Sequence, residues 1–191
     1  YESAHEKIFS GAGSFSMFLC TGLNHGGVFG PSPRCEKECD VDFACGVLLL
    51  VKREVLEHLG FFDDRYFMYF EDVEFSRRVL GKYRMMYTPV GVAYHKSGGG
   101  KGWKNYTELY LYYHTRNRLW VFEGDTLLYR VYVSIFTFLN AVAKSLFIVS
   151  GFLYDVGKTK KRLCSLWRGF RDGLGTASAA KTIGFTDQLP L

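Results

Sequence analysis

The sequence predicts an α/β fold, and three observations carry that expectation. The run Phe43-Ala44-Cys45-Gly46-Val47-Leu48-Leu49-Leu50-Val51 is too continuously apolar to alternate, which is the pattern of a strand buried on both faces of a covered sheet. Helical punctuation follows it twice, with Gly60 closing a segment over 53–59 and Gly81 closing one that runs from Glu71 to about Leu80. From 127 to 154 the chain becomes strongly apolar, with polar residues recurring near helical period.

Taken in order, residues 1–40 read as irregular, because glycine, serine, proline and charge interrupt every apolar run. The helix over 53–59 carries Val55, Leu56 and Leu59 as its apolar stripe. In the next helix, Glu71 and Asp72 in the first turn and Arg77 and Arg78 near the end suit the helix dipole, and Glu74 can pair with Arg78 at i,i+4. Residues 85–88 and 92–94 read as short strands separated by Pro89 and Gly91. His95 ends the second strand, and the glycine-rich loop over 97–102, which holds Lys101, follows it. A helix over 106–122 carries Tyr112, Tyr113, Arg116 and Asn117. The segment 127–154 leaves a narrow polar stripe of Arg130, Ser134, Thr137, Asn140 and Lys144 beside a wide apolar face. Two domains are expected, a mixed part over 1–122 and a helical part over 123–191.

A chain of 191 residues is long enough for one ordinary core. Its formal net charge of +5 suits an anionic ligand or an anionic membrane surface as well as nucleic acid. Nucleic acid is disfavoured, because the aromatics fall in apolar runs and the basic residues lie in one C-terminal stretch without a recognised motif. The 5 cysteines are odd in number, and Cys20 and Cys164 are remote from the rest, so they do not form a secreted disulfide framework. A reducing, cytoplasmic setting is expected. A zinc site of Cys35, Cys39, Cys45 and His25 has poor spacing, and Gly11-Ala12-Gly13 lacks the strand–helix frame of a dinucleotide fingerprint. In 127–154, Arg130 and Lys144 argue against a simple membrane span. An interfacial helix followed by the basic residues Lys158, Lys160, Lys161, Arg162, Arg168 and Arg171 is the expectation, or the same face packed on a second copy of the chain.

Glu71-Asp72 are the candidate catalytic acids. Consecutive residues on a helix point about 100° apart, so one carboxylate can face a cleft while the other is held by structure. A helix start favours the charged form and leaves such an acid available as a base. Two acids there can equally serve only the dipole.

Context favours chemistry. The string Gly60-Phe61-Phe62-Asp63, then Tyr66-Phe67-Met68-Tyr69-Phe70-Glu71-Asp72-Val73-Glu74-Phe75-Ser76-Arg77-Arg78, resembles the acceptor-side motif of glycosyltransferase family 2. Asp42-Phe43-Ala44-Cys45-Gly46, Met86-Tyr87-Thr88-Pro89, Ala93-Tyr94-His95-Lys96 and Tyr112-Tyr113-His114-Thr115-Arg116-Asn117 resemble its neighbouring segments. Leu166-Trp167-Arg168-Gly169-Phe170-Arg171-Asp172-Gly173 is similar to the tail of the rhamnosyltransferase-like branch. The resemblance covers roughly 7–175. It implies a partial GT-A-like fold with a mainly parallel sheet, and inverting transfer from a nucleotide-diphospho-sugar to a hydroxyl of a glycan or lipid-linked saccharide. Asp72 is then the general base and Glu71 its neighbour. His95 is the ligand of a divalent metal, Mg²⁺ or Mn²⁺, and Arg116 and Lys101 are cations for the diphosphate. The family's donor-binding half belongs before these motifs, and Asp40-Val41-Asp42 stands where the family has no metal site. The donor half is therefore expected outside this chain, and the chain alone is expected to be silent. The competing reading is a non-enzymatic membrane-surface or partner-binding module built on 127–154.

Overall fold

The computed structural model describes residues 10–25, 36–94, 106–150 and 156–175. The chain is mixed α/β and divides into two compact units, one of 1–63 with 70–99 and one of 64–69 with 100–191. In the second unit, the helix that ends at Trp120 packs with the helices that follow it.

In the first unit, the stretch expected to be irregular contains a hairpin. Strand β1 (Gly13–Ser16) pairs antiparallel with β2 (Thr21–Asn24), in a register from Gly13 opposite Asn24 to Ser16 opposite Thr21. Phe43, buried, lies against it, and a Cβ at Gly13 or Gly22 would overlap Phe43 atoms. Two glycines thus create the seat for one aromatic ring.

The expected strand over 43–51 is absent from these residues. Phe43 makes only an isolated bridge to Gly13, and Leu48 and Leu50 are exposed, Leu50 at 99%. The physical reason is where the backbone donors go. The N–H of Ala44 donates to Ser76 Oγ and that of Gly46 to Asp72 Oδ2, both at 3.1 Å, so side chains of a helix take the place of a ladder.

Strand β3 (Cys39–Asp40) pairs antiparallel with β4 (Met86–Tyr87), the core of the predicted 85–88 strand; residues 92–94 form none. Both ladders among the described residues are antiparallel. Helix α1 (Arg53–Leu59) ends at Gly60, whose φ of 79° is the left-handed conformation a glycine supplies without strain. Helix α2 (Glu71–Val79) is followed by Gly81 at φ 77°. Val55, Phe75 and Val79 join the two helices through a small core. The predicted Glu74–Arg78 pair forms at 2.6 Å, and the same guanidinium donates to the carbonyls of Leu59 and Phe61, tying α2 to the end of α1.

The second unit contains three mutually packed helices, α3 (Glu108–Trp120), α4 (Leu127–Ser150) and α5 (Val156–Leu174). Thr107 caps α3 by accepting the Tyr110 N–H at 3.2 Å. Gly169 and Gly173 let α5 approach α3 closely, since a Cβ at either would meet the backbone of Tyr112 or Arg116. The Tyr112 hydroxyl donates to Asp172 at 3.0 Å across the same contact. Helix α4 turns Val133, Thr137, Ala141, Lys144 and Ile148 inward, so two members of the predicted polar stripe are buried.

Candidate functional site

The carboxylate pair sits where α2 begins. Phe70 precedes it in the left-handed conformation, with φ 67°, and Phe67 and Tyr69 share positive φ values of 57° and 64°. For bulky residues each such conformation costs on the order of 1–3 kcal/mol and persists only where the surroundings enforce it. Three of them within four residues set the path of the chain into Glu71.

Asp72 is anchored rather than free to swing. Its Oδ2 accepts the Gly46 N–H at 3.1 Å and its Oδ1 accepts the Val73 N–H at 2.8 Å. Burial raises the Asp72 pKa, and the N–H groups of Gly46, Val73 and Asp72 itself act in the opposite sense by stabilising the anion. The side chain is nevertheless only partly covered. A carboxylate that is made more basic by burial and held in one orientation by backbone donors has the properties of a general base. Glu71 is also raised, first by burial, with its own N–H opposing and the Asp72 charge adding. Its Oε2 is buried and has no hydrogen-bond partner among the described residues.

The aromatic segment before the pair is held within the second unit. Asn117, fully buried on α3, donates from Nδ2 to the carbonyls of Tyr66, Met68 and Tyr69 at 2.8, 2.9 and 2.7 Å. Arg116 Nε donates to Asn117 Oδ1 at 2.8 Å and its Nη2 to the Arg65 carbonyl at 2.8 Å. The guanidinium also lies 4.0 Å from the Trp120 ring centroid and 4.7 Å from that of Tyr113. Arg116, expected at a diphosphate, is thus engaged in holding residues 65 and 66. The Tyr69 ring meets those of Tyr110 at 5.3 Å and His114 at 6.1 Å. His114 is kept neutral, its pKa lowered by burial and then by the nearby charges of Arg118 and Lys144.

Asn117 is the residue whose role sequence reasoning missed. The available signal was an asparagine deep inside a helix, where its side chain is unfavourable unless a specific partner compensates. Gly46 lies in the run expected to be a strand, whereas its N–H is the contact that orients Asp72.

His95 and Lys101 lie outside the described residues. Among the described residues no group of three His, Cys, Asp or Glu side chains could hold a metal ion. Asp40 and Asp42 have structural partners: Asp40 pairs with Arg84 at 2.7 Å, and Asp42 accepts the Phe15 N–H at 2.6 Å. No family model, curated protein or solved structure matches the chain.

Proposed function

We propose that this chain carries the acceptor-side catalytic base of an inverting glycosyltransferase of GT-A-like architecture, acting in the cytoplasm on a nucleotide-diphospho-sugar and a saccharide or lipid-linked hydroxyl acceptor. The observation that carries the reading is Asp72, a partly buried carboxylate of raised pKa held by two backbone donors at a helix start. In the reaction, Asp72 takes the proton of the acceptor hydroxyl as that oxygen bonds to the anomeric carbon. The bond from the anomeric carbon to the diphosphate breaks on the opposite face, which inverts the centre, and the diphosphate leaves with the electron pair. Glu71 stands beside the base, and the Asp72 charge helps to raise the Glu71 pKa. In this reading His95 would hold a divalent metal whose charge would serve the leaving diphosphate, with Lys101 and Arg116 as the further cations that the motif implies; Arg116 also holds the aromatic segment.

The test is transfer from labelled nucleotide sugars by the full-length protein. Asp72→Asn is isosteric but can accept only one of the two backbone N–H groups, and it removes the base; it should lower kcat by about 10²–10⁴-fold with donor affinity unchanged. The rate of the unmodified protein should fall on acidification through a pKa above the ordinary aspartate value, because the base works only when ionised. Near-normal turnover by Asp72→Asn would remove Asp72 from the reaction. A non-enzymatic membrane module is the second reading, favoured by the exposed apolar residues of α4. Vesicle binding with no transfer from any nucleotide sugar would select it.

A further inference from the structure

Helix α4 is inverted relative to a helix of a water-soluble bundle. At 100° per residue, Leu128, Val131, Ile135, Leu139, Leu146 and Val149 fall within an arc of about 80°, and they extend over roughly 32 Å of helix. All six are exposed, from 47% at Val131 to 83% at Leu128. Val133, Thr137, Ala141, Lys144 and Ile148 occupy the opposite side and are buried. An uninterrupted apolar surface of this length marks a contact.

The charge at one end of the arc identifies the partner. Trp167 Nε1 donates to Ser145 Oγ at 3.1 Å, and Phe138 meets the rings of Trp167 and Phe170 at 5.7 and 5.8 Å. Rising numbers on α5 therefore match falling numbers on α4, and the two helices run antiparallel. The first turns of α5 consequently lie beside the C-terminal end of the arc. They expose Lys158, Lys160 and Lys161, and residues 156–170 contain no acid. A protein partner would call for hydrogen-bonding groups among the apolar ones, roughly one bond per 100–200 Å². The six arc residues supply no side-chain donor or acceptor.

We propose that α4 lies along an anionic lipid surface, with this arc in the acyl boundary and the lysines of α5 over the headgroups. The helix lies in the plane of the surface and does not cross the bilayer, because α3 and α5 cover its other side. The proposal does not depend on Asp72 or on any transfer reaction.

The test is co-sedimentation of the protein with phosphatidylcholine vesicles, with and without phosphatidylglycerol, at low and high salt. Binding should require phosphatidylglycerol and weaken with salt. Replacing Lys158, Lys160 and Lys161 with Gln should weaken it, at about fivefold per well-placed charge and so by up to roughly a hundredfold at low salt. Ile135→Gln, Leu139→Gln and Leu146→Gln together should abolish it while leaving the circular dichroism spectrum and thermal midpoint intact, since all three positions are exposed. Unchanged binding by either triple variant, or equal binding to neutral vesicles, overturns the proposal. So does a protein that ignores vesicles but forms a dimer that the apolar-arc variant dissociates; that result assigns the arc to a second copy of the chain.

Discussion

Asn117 offers the sharpest test of how the aromatic segment is held. Its amide group has two protons and three carbonyl acceptors, those of Tyr66, Met68 and Tyr69, and its carbonyl accepts a charged donor from Arg116. Counting about two net bonds from the amide at ~1 kcal/mol each and ~2 kcal/mol for the charge-assisted bond, Asn117→Ala should cost about 4 kcal/mol. Asn117→Asp is nearly isosteric and should cost at least as much, because it turns an oxygen toward carbonyl oxygens that had a donor. Urea denaturation followed by tryptophan fluorescence reads the total, and amide exchange at Phe67 to Tyr69 reads the local part. Loss of Asn117 should release the positive φ of Phe67 and Tyr69, so exchange there should rise by more than global unfolding alone explains. A cost below about 1 kcal/mol for both variants, with exchange at those residues unaltered, would refute the reasoning.

Two further outcomes follow from packing and charge. Gly169→Ala gains about 1 kcal/mol of helix propensity yet should be destabilising, since its Cβ meets the Tyr112 backbone, which cannot move aside as a side chain can; overpacking typically costs ~1–3 kcal/mol, and a thermal shift assay showing stabilisation would contradict the close α3–α5 approach. Lys144, faced by Arg118 and by the rings of Tyr106 and Tyr110, has its pKa lowered from 10.5 to about 7, first by burial and then by Arg118. Between about 7 and 10.5 the unfolded chain holds a proton that the folded chain has lost, so stability rises with pH in that window. Lys144→Met should therefore be more stable than the parent below pH ~7, and its advantage should shrink by ~1.4 kcal/mol for each pH unit above that; urea denaturation at several pH values reads the difference, and a pH-independent difference would mean that Lys144 keeps its ordinary pKa.

Helix ends were legible because their signals are local. Gly60 and Gly81 supply left-handed backbone at their own positions, and the acid-then-base order of Glu71, Asp72, Arg77 and Arg78 needs only the helix itself. The hairpin of β1 and β2 escaped notice because Gly-Ser-Phe-Ser and Thr-Gly-Leu-Asn lack a clear alternation of apolar and polar residues. Its glycines answer to Phe43, far along the chain, rather than to strand propensity. The run over 43–51 misled for a related reason. Continuous apolarity signals burial only if a neighbouring strand takes the backbone hydrogen bonds, and here Ser76 and Asp72 take two of them. At the candidate site, the acids could be named from the motif, but the Gly46 donor that orients Asp72 is 26 residues away from it, and the acceptors of Asn117 are 48–51 residues away from Asn117. No local pattern encodes such partners.

The orientation of α4 was the least legible feature, and magnitudes show what it requires. Rotating the helix by half a turn about its axis would bury Leu128, Ile135, Leu139 and Leu146 and return Thr137 and Lys144 to water. Burial of each large aliphatic side chain is worth about 1.5–3 kcal/mol, so the rotation offers on the order of 6–12 kcal/mol in an aqueous setting. The contacts that oppose it are the burial of Val133, Ala141 and Ile148, the rings of Trp167 and Phe170 against Phe138, the Trp167–Ser145 hydrogen bond, and the Lys144 ammonium 5.2 and 5.9 Å from the Tyr110 and Tyr106 ring centroids. A net hydrogen bond contributes about 1 kcal/mol and a desolvated cation–π contact about 2. The cost of burying Lys144 acts in the same direction as the rotation. Burial of Val133 and Ile148 at the same rate offsets about 3–6 kcal/mol of that gain, so in water the two orientations are of similar energy. An apolar medium against that arc tips the balance to the observed orientation, because the same four side chains then gain nothing by turning inward, while Val133, Ala141 and Ile148 keep their packing inside the helical unit.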